Sequence, residues 1–239
     1  MNTKEKTNPN RMARMAGFLY LIYIATTIFA SVINAKLIVF GDAAATGHNI
    51  MASEWQFRIS FMSDLLAGVL FLLLAWALYV LLKPVNRTLA FLFVLLNLGG
   101  VAVQCMNTLN QFAPLLLLSG ADYLKVFQAD QLQALAMLFL NLHENGFMIA
   151  QIFYGAWLFP LGYLVFKSGF FPRILGVILM VHCVAWLTTF LQFFLFPGYT
   201  AVTYISYPLG FIAEFGLALW LLIKGVNVEQ WEKSALKSA

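Results

Sequence analysis

The residues best suited to chemistry in this chain are three polar side chains inside long apolar segments: Asn97, His182 and Glu214. Each lies nine or ten residues from a basic residue that flanks its segment. At about 1.5 Å per residue of α-helix this distance is about 14 to 15 Å, close to the midplane of a bilayer with about 30 Å of hydrocarbon. A charged glutamate facing lipid there is costly, so we expect Glu214 to face the protein interior, be protonated or have a partner. His182 is the natural partner.

Two roles remain open for these three residues. They form a site that takes up a proton or binds a small molecule or ion, with Asn97 assisting, or they only hydrogen-bond helices together. The site hypothesis requires Glu214 and His182 to be neighbours.

A second candidate site lies at the opposite end of the predicted spans. The run His143-Glu144-Asn145-Gly146 interrupts apolar sequence, and further polar residues fall near the same boundary: Arg58, Asp64, Asn107, Gln111 and Asn141. Either this outer-face polar cluster lines a pocket, or its members meet interfacial water and headgroups, with Arg58 and Asp64 pairing locally.

Sequence signatures of catalysis and of cofactor binding are scarce. His48, His143 and His182 form no HExxH motif, and the adjacent His143 and Glu144 do not share a helical face, which argues against zinc. No GxSxG, Walker, GxGxxG or CxxCH motif occurs. We therefore expect no metal and no cofactor. The sequence does not decide whether the chain is an enzyme, and the scarcity of catalytic motifs argues against it.

Helices that cross a membrane must position these residues. The chain is 62% hydrophobic and only 10% charged, against about 25% charged in a soluble domain. We predict an all-α integral membrane bundle of six transmembrane helices forming a single domain over 1–239. The spans are placed at about 15–34, 60–82, 88–110, 146–166, 174–196 and 204–223.

The distribution of basic residues predicts the orientation. Eleven of the fourteen Lys and Arg residues fall on one side of these spans, and the other side holds only Lys36, Arg58 and Lys125. The positive-inside rule makes the basic side cytoplasmic. Both termini, which carry basic tails, are therefore predicted to be cytoplasmic in a multi-pass protein of the cell membrane.

The segment between spans three and four is predicted to contain extra outer-face helices. Residues 119–122 and 130–133 each resemble a capping box. A helix running unbroken over 131–166 would be about 54 Å long, beyond the hydrocarbon thickness. The chain therefore either projects outward or breaks near Asn145-Gly146.

Four short stretches resemble a prokaryotic multi-pass membrane family, the one catalogued as domain of unknown function 4386. They are LKPVNRTLA at 82–90, GF at 146–147, GYL at 162–164 and SGFFPRILG at 168–176. The resemblance covers about residues 13–225. It implies a multi-pass membrane protein and no established activity, so no functional residue is transferred.

Three classes of function remain open. We favour small-molecule or ion binding or transport through the intramembrane site. The alternatives are an intramembrane enzyme that acts on a lipid-like substrate through Asp64, His143 and Glu144, and a non-catalytic assembly or regulatory subunit with an exposed small-residue face such as Gly99-Gly100. The expected partners are membrane lipids and a small-molecule or ion ligand. No nucleic-acid partner is expected, and a homo-oligomer is compatible with the sequence.

Overall fold

Long α-helices dominate the structure, a computed structural model that describes residues 8–199 and 201–237. Lys4 and Lys6, two of the residues counted for orientation, lie outside the described residues. In the part described, the helices in chain order are α1 Pro9–Leu37, α2 Ala43–Ala52, α3 Glu54–Leu82, α4 Arg87–Leu117, α5 Ala129–Ser168, α6 Arg173–Leu195, α7 Ala201–Gly210, α8 Gly216–Ile223 and α9 Val228–Lys237. A 3₁₀ turn covers Asp122–Leu124, and a π-helical turn covers Phe211–Phe215.

Six of these segments are long and apolar enough to cross a bilayer. They are α1, α3, α4, α5, α6 and the stretch Thr203–Ile223, which runs from α7 through the π-helical turn into α8. Each coincides with a predicted span, and this confirms the all-α fold with six membrane-spanning helices. The observed helices extend beyond several predicted boundaries because hydropathy marks only their apolar part.

The segment before the fourth span differs in detail from the prediction. The first predicted outer helix is only the 3₁₀ turn at Asp122–Leu124. The second is the start of α5, which continues without a break through Asn145-Gly146 for 40 residues, about 60 Å of helix. The capping box lies two residues earlier than predicted, at 128–131 instead of 130–133. The side-chain oxygen of Gln131 accepts a hydrogen bond from the backbone N–H of Gln128 at 2.9 Å.

The chain divides into two compact units. Unit 1 comprises the described residues within 1–22, 70–100 and 151–239, and unit 2 comprises residues 23–69 and 101–150. In unit 1, α5 and α6 meet backbone to backbone at Gly162 and Gly176: a Cβ on Gly176 would lie 2.5 Å from the carbonyl oxygen of Gly162. Small residues permit such close helix packing in membranes.

Unit 2 contains a helix that hydropathy did not reveal. Asp42 caps the N-terminus of α2 by accepting a hydrogen bond from the backbone N–H of Ala45 at 2.9 Å. Ile50 of α2 packs in a buried apolar cluster with Leu37, Phe57, Leu115 and Leu140. The short helix is therefore held in the core of its unit by apolar burial.

Candidate functional site

Glu214 lies in the π-helical turn Phe211–Phe215, inside the sixth span. Gly210 directly precedes this turn, and Pro208, which has no backbone N–H to donate, lies two residues before Gly210. π-helical turns within α-helices are rare and occur frequently at functional sites. The irregular backbone thus coincides with the only acidic residue of the last span.

One carboxylate oxygen of Glu214 is held by Tyr20 of α1. The Tyr20 hydroxyl donates a hydrogen bond of 2.7 Å to Oε2, and Tyr20 itself is fully buried. Gly17, one turn earlier, allows α1 to approach α8 this closely, because a Cβ there would lie 2.5 Å from the backbone nitrogen of Leu222. Sequence reasoning missed Tyr20, since a tyrosine in an apolar helix resembles a packing or interface residue.

The other carboxylate oxygen of Glu214 faces His182 of α6. His182 Nδ1 lies 3.6 Å from Oε1, whereas hydrogen bonds to oxygen span about 2.7 to 3.2 Å. Only 3% of the His182 side chain is exposed, against 25% for Glu214. Neither ring nitrogen of His182 has a hydrogen-bond partner among the described residues.

The imidazole of His182 is fixed by close packing on two sides. Gly210 lies against its far edge, where a Cβ would stand 2.5 Å from Nε2. The indole ring of Trp186 lies 5.6 Å from the imidazole, centroid to centroid. Trp186 is held in turn by a hydrogen bond from its Nε1 to Oε1 of Gln151. The ring thus has little room to move toward or away from Glu214.

Asn97, the third residue predicted for this site, lies in α4 and is fully buried. Neither its amide nitrogen nor its amide oxygen has a hydrogen-bond partner among the described residues. The structure therefore brings Glu214 and His182 together, as the site hypothesis requires, but gives no hydrogen bond from Asn97 to either.

The geometry of Tyr20, His182 and Glu214 is suited to proton exchange. A carboxylate that accepts from a hydroxyl and faces an imidazole across a short gap offers two basic groups for one proton. Protonation of the imidazole would place a cation beside the carboxylate, and charge-assisted hydrogen bonds are shorter than neutral ones.

At the outer face, Asn107 and His143 are linked to each other reciprocally. Asn107 Nδ2 donates to the carbonyl oxygen of His143 at 2.8 Å, and His143 Nδ1 lies 3.2 Å from the carbonyl oxygen of Asn107. Gly146 makes room for this contact, because a Cβ there would overlap the Asn107 side chain. These two members of the outer-face polar cluster join α4 to α5 within unit 2.

The remaining members of the outer-face polar cluster do not join this pair. One interpretation of the sequence paired Arg58 with Asp64, and this was wrong. The Arg58 guanidinium binds Glu54, one turn earlier on the same helix, at 2.6 Å. Asp64 instead contacts the amide of Gln111. Glu144 and Asn145 are exposed, and Asn145 donates to the carbonyl oxygen of Asn141 in its own helix.

A chain of buried polar side chains lies in unit 2 beside Asp64. Gln111 Nε2 donates to Ser60 Oγ at 3.2 Å, and Ser60 donates onward to the amide oxygen of Asn34. This chain links α1, α3 and α4. Among the described residues no group of three or more His, Cys, Asp and Glu side chains is placed to hold a metal ion.

The small-residue face at Gly99-Gly100, proposed as a surface for partners, is not free. A Cβ on Gly99 would lie 2.9 Å from the ring of Phe153, and one on Gly100 would lie 2.4 Å from the ring of Tyr154. The two glycines therefore seat aromatic residues of α5 in the same unit, and that expectation was wrong.

Comparisons with known proteins agree with the resemblance seen in the sequence. The family described as Domain of unknown function (DUF4386) matches residues 15–225. An uncharacterized protein of Archaeoglobus fulgidus is 30% identical over 156 residues, which cover 65% of this chain and 77% of the relative. No solved structure matches the chain. The match over most of its length shows that this chain belongs to the DUF4386 family, a family of unknown function.

Proposed function

We propose that this membrane protein binds and transports a small ion at the Glu214–His182 pair, and that this ion is the proton. The observation that carries the proposal is the buried imidazole of His182, which faces the Glu214 carboxylate at 3.6 Å without a hydrogen bond. A buried polar group without a partner costs about 1 to 3 kcal/mol. Packing by Gly210 and Trp186 holds that gap open, so neither group is committed to the other and both remain available to a proton.

Three further features support an exchangeable site over a structural clamp. The carboxylate lies in a π-helical turn, where the regular helical hydrogen bonds are interrupted. Tyr20 holds one carboxylate oxygen and leaves the other toward His182. A quarter of the Glu214 side chain is exposed, so a ligand has a surface to reach.

The predicted depth of the pair agrees with a role across the membrane. His182 lies nine residues from the start of α6, and Glu214 lies nine residues before the end of α8, so each is about 14 Å from a helix end. We further propose that the basic ends of the spans, with both termini, face the cytoplasm of the cell membrane.

Proton flux into liposomes tests the proposal. The purified protein is reconstituted around a pH-sensitive dye, and a potassium gradient with valinomycin makes the lumen negative. Wild-type protein should acidify the lumen faster than protein-free liposomes do, and Glu214→Gln should lower the rate to that background. Glu229→Gln is the matched control: it removes an exposed carboxylate of α9 that pairs with Lys233 at 2.6 Å, and surface pairs contribute little.

The control variant should retain the wild-type rate. Flux through Glu214→Gln at the wild-type rate would contradict the proposal, as would a wild-type rate equal to that of protein-free liposomes.

A further inference from the structure

A separate cavity of about 350 Å³ lies at the basic ends of the spans, within unit 1. One wall is the turn from Gly169 to Pro172, which connects α5 to α6. The opposite wall is Trp220 together with residues 224–227, where α8 ends and the chain turns toward α9. The two walls are joined by a hydrogen bond from the backbone N–H of Asn227 to the carbonyl oxygen of Phe170.

Two hydrogen-bond donors at this cavity, on Lys224 and Trp220, have no acceptor in the described part of the chain. The Lys224 ammonium has no carboxylate partner among the described residues and is exposed. The indole N–H of Trp220 is buried and has no hydrogen-bond partner in the same part of the chain. No Asp or Glu of the described part of the chain lines the cavity. The Trp220 N–H has no accessible surface, so the Lys224 ammonium is the donor that a ligand can reach, and a ligand that pairs with an ammonium is an anion.

The surroundings of the cavity are cationic as well. Lys167 and Arg173 flank the Gly169–Pro172 turn, and each stacks over an aromatic ring of α5, at 5.9 Å for Lys167 and 5.8 Å for Arg173. These contacts keep both charges in place without neutralising them.

We propose that this cavity binds a phosphate group, supplied by the headgroup of an anionic phospholipid or by free phosphate. Basic pockets between helices at the cytoplasmic side of membrane proteins bind anionic headgroups. The cavity shares no lining residue with the Glu214–His182 pair and does not depend on the function proposed for Glu214.

Binding of phosphatidylglycerol to the purified protein tests this site. Native mass spectrometry in detergent counts the bound lipids and gives an apparent Kd, with phosphatidylcholine as the zwitterionic comparison and inorganic phosphate as the lipid-free one. Wild-type protein should bind phosphatidylglycerol in preference to phosphatidylcholine. Lys224→Gln should weaken that binding about tenfold, as expected for losing one charged hydrogen bond.

Lys83→Gln is the matched control, since Lys83 lies at the same end of the spans but lines no part of this cavity. It should leave the affinity at the wild-type value. If inorganic phosphate competes with the lipid at equal concentration, the site is a phosphate site whose source is soluble. Equal affinities for the two lipids, or equal losses in Lys224→Gln and Lys83→Gln, would overturn the proposal. Lys224→Ala carries the same comparison should Lys224→Gln not fold.

Discussion

Replacing Gly210 with alanine should force the imidazole of His182 out of its present position beside Glu214 and lower the rate of proton exchange. A Cβ at position 210 would lie 2.5 Å from Nε2 and 2.7 Å from Cε1 of the imidazole. Nonbonded atoms prefer separations of about 3.5 to 4.0 Å, so the ring must move by about 1 Å. Trp186 lies on another side of the ring, and this crowding limits where the imidazole can go.

The expected change in the free energy of unfolding combines two opposing contributions. Overpacking costs about 1 to 3 kcal/mol, while removing a glycine from a helix gains about 1 kcal/mol. Gly210→Ala should therefore lower the stability by up to about 2 kcal/mol, which corresponds to a fall in Tm of about 4 to 8 °C for a chain of this size.

Gly216→Ala provides the matched control, because no atom outside its own helix lies within 4 Å of a Cβ at that position. It should keep or raise Tm and retain the wild-type proton flux. Thermal unfolding in detergent and the liposome assay measure both quantities on the same preparations. The packing argument fails if Gly210→Ala matches Gly216→Ala in both.

Two further predictions concern the contacts that position the helices. Gly17→Ala should lower Tm and proton flux together. The new Cβ would meet the backbone of Leu222 at 2.5 Å and that of Ala218 at 2.7 Å, and this clash would move Tyr20 away from Glu214. Unchanged proton flux in liposomes would contradict this prediction. Asn107→Ala should cost about 1 to 3 kcal/mol of stability, because it removes the bond to the His143 carbonyl oxygen. The exposed Asn145→Ala should stay within about 0.5 kcal/mol of wild type, and equal Tm values for these two variants would refute the role given to Asn107.

The membrane-spanning helices were predictable because about 20 consecutive apolar residues have few alternatives to a helix that crosses a bilayer. The contact between Glu214 and His182 followed from similar reasoning, since two polar residues at equal depth in apolar helices gain by facing each other. Neither argument depends on knowing how the helices pack.

The residues that sequence reasoning missed depend on that packing. Tyr20 reaches Glu214 only because Gly17 lets α1 approach the last span. The π-helical turn follows Pro208 and Gly210, but these residues alone do not specify its type. The Arg58–Glu54 pair was within reach of the sequence, because residues four apart share a helical face whereas Arg58 and Asp64 do not.

Infrared difference spectroscopy of Glu214 tests the central claim most directly. Spectra of the membrane-reconstituted protein are recorded between acidic and alkaline buffers for wild type, Glu214→Gln and the control Glu229→Gln. The account predicts a carboxyl C=O stretching band that disappears in Glu214→Gln, persists in Glu229→Gln and shifts in Tyr20→Phe, since Tyr20 donates a hydrogen bond to this carboxylate. Superimposable spectra for wild type and Glu214→Gln would show that Glu214 exchanges no proton and would contradict the account.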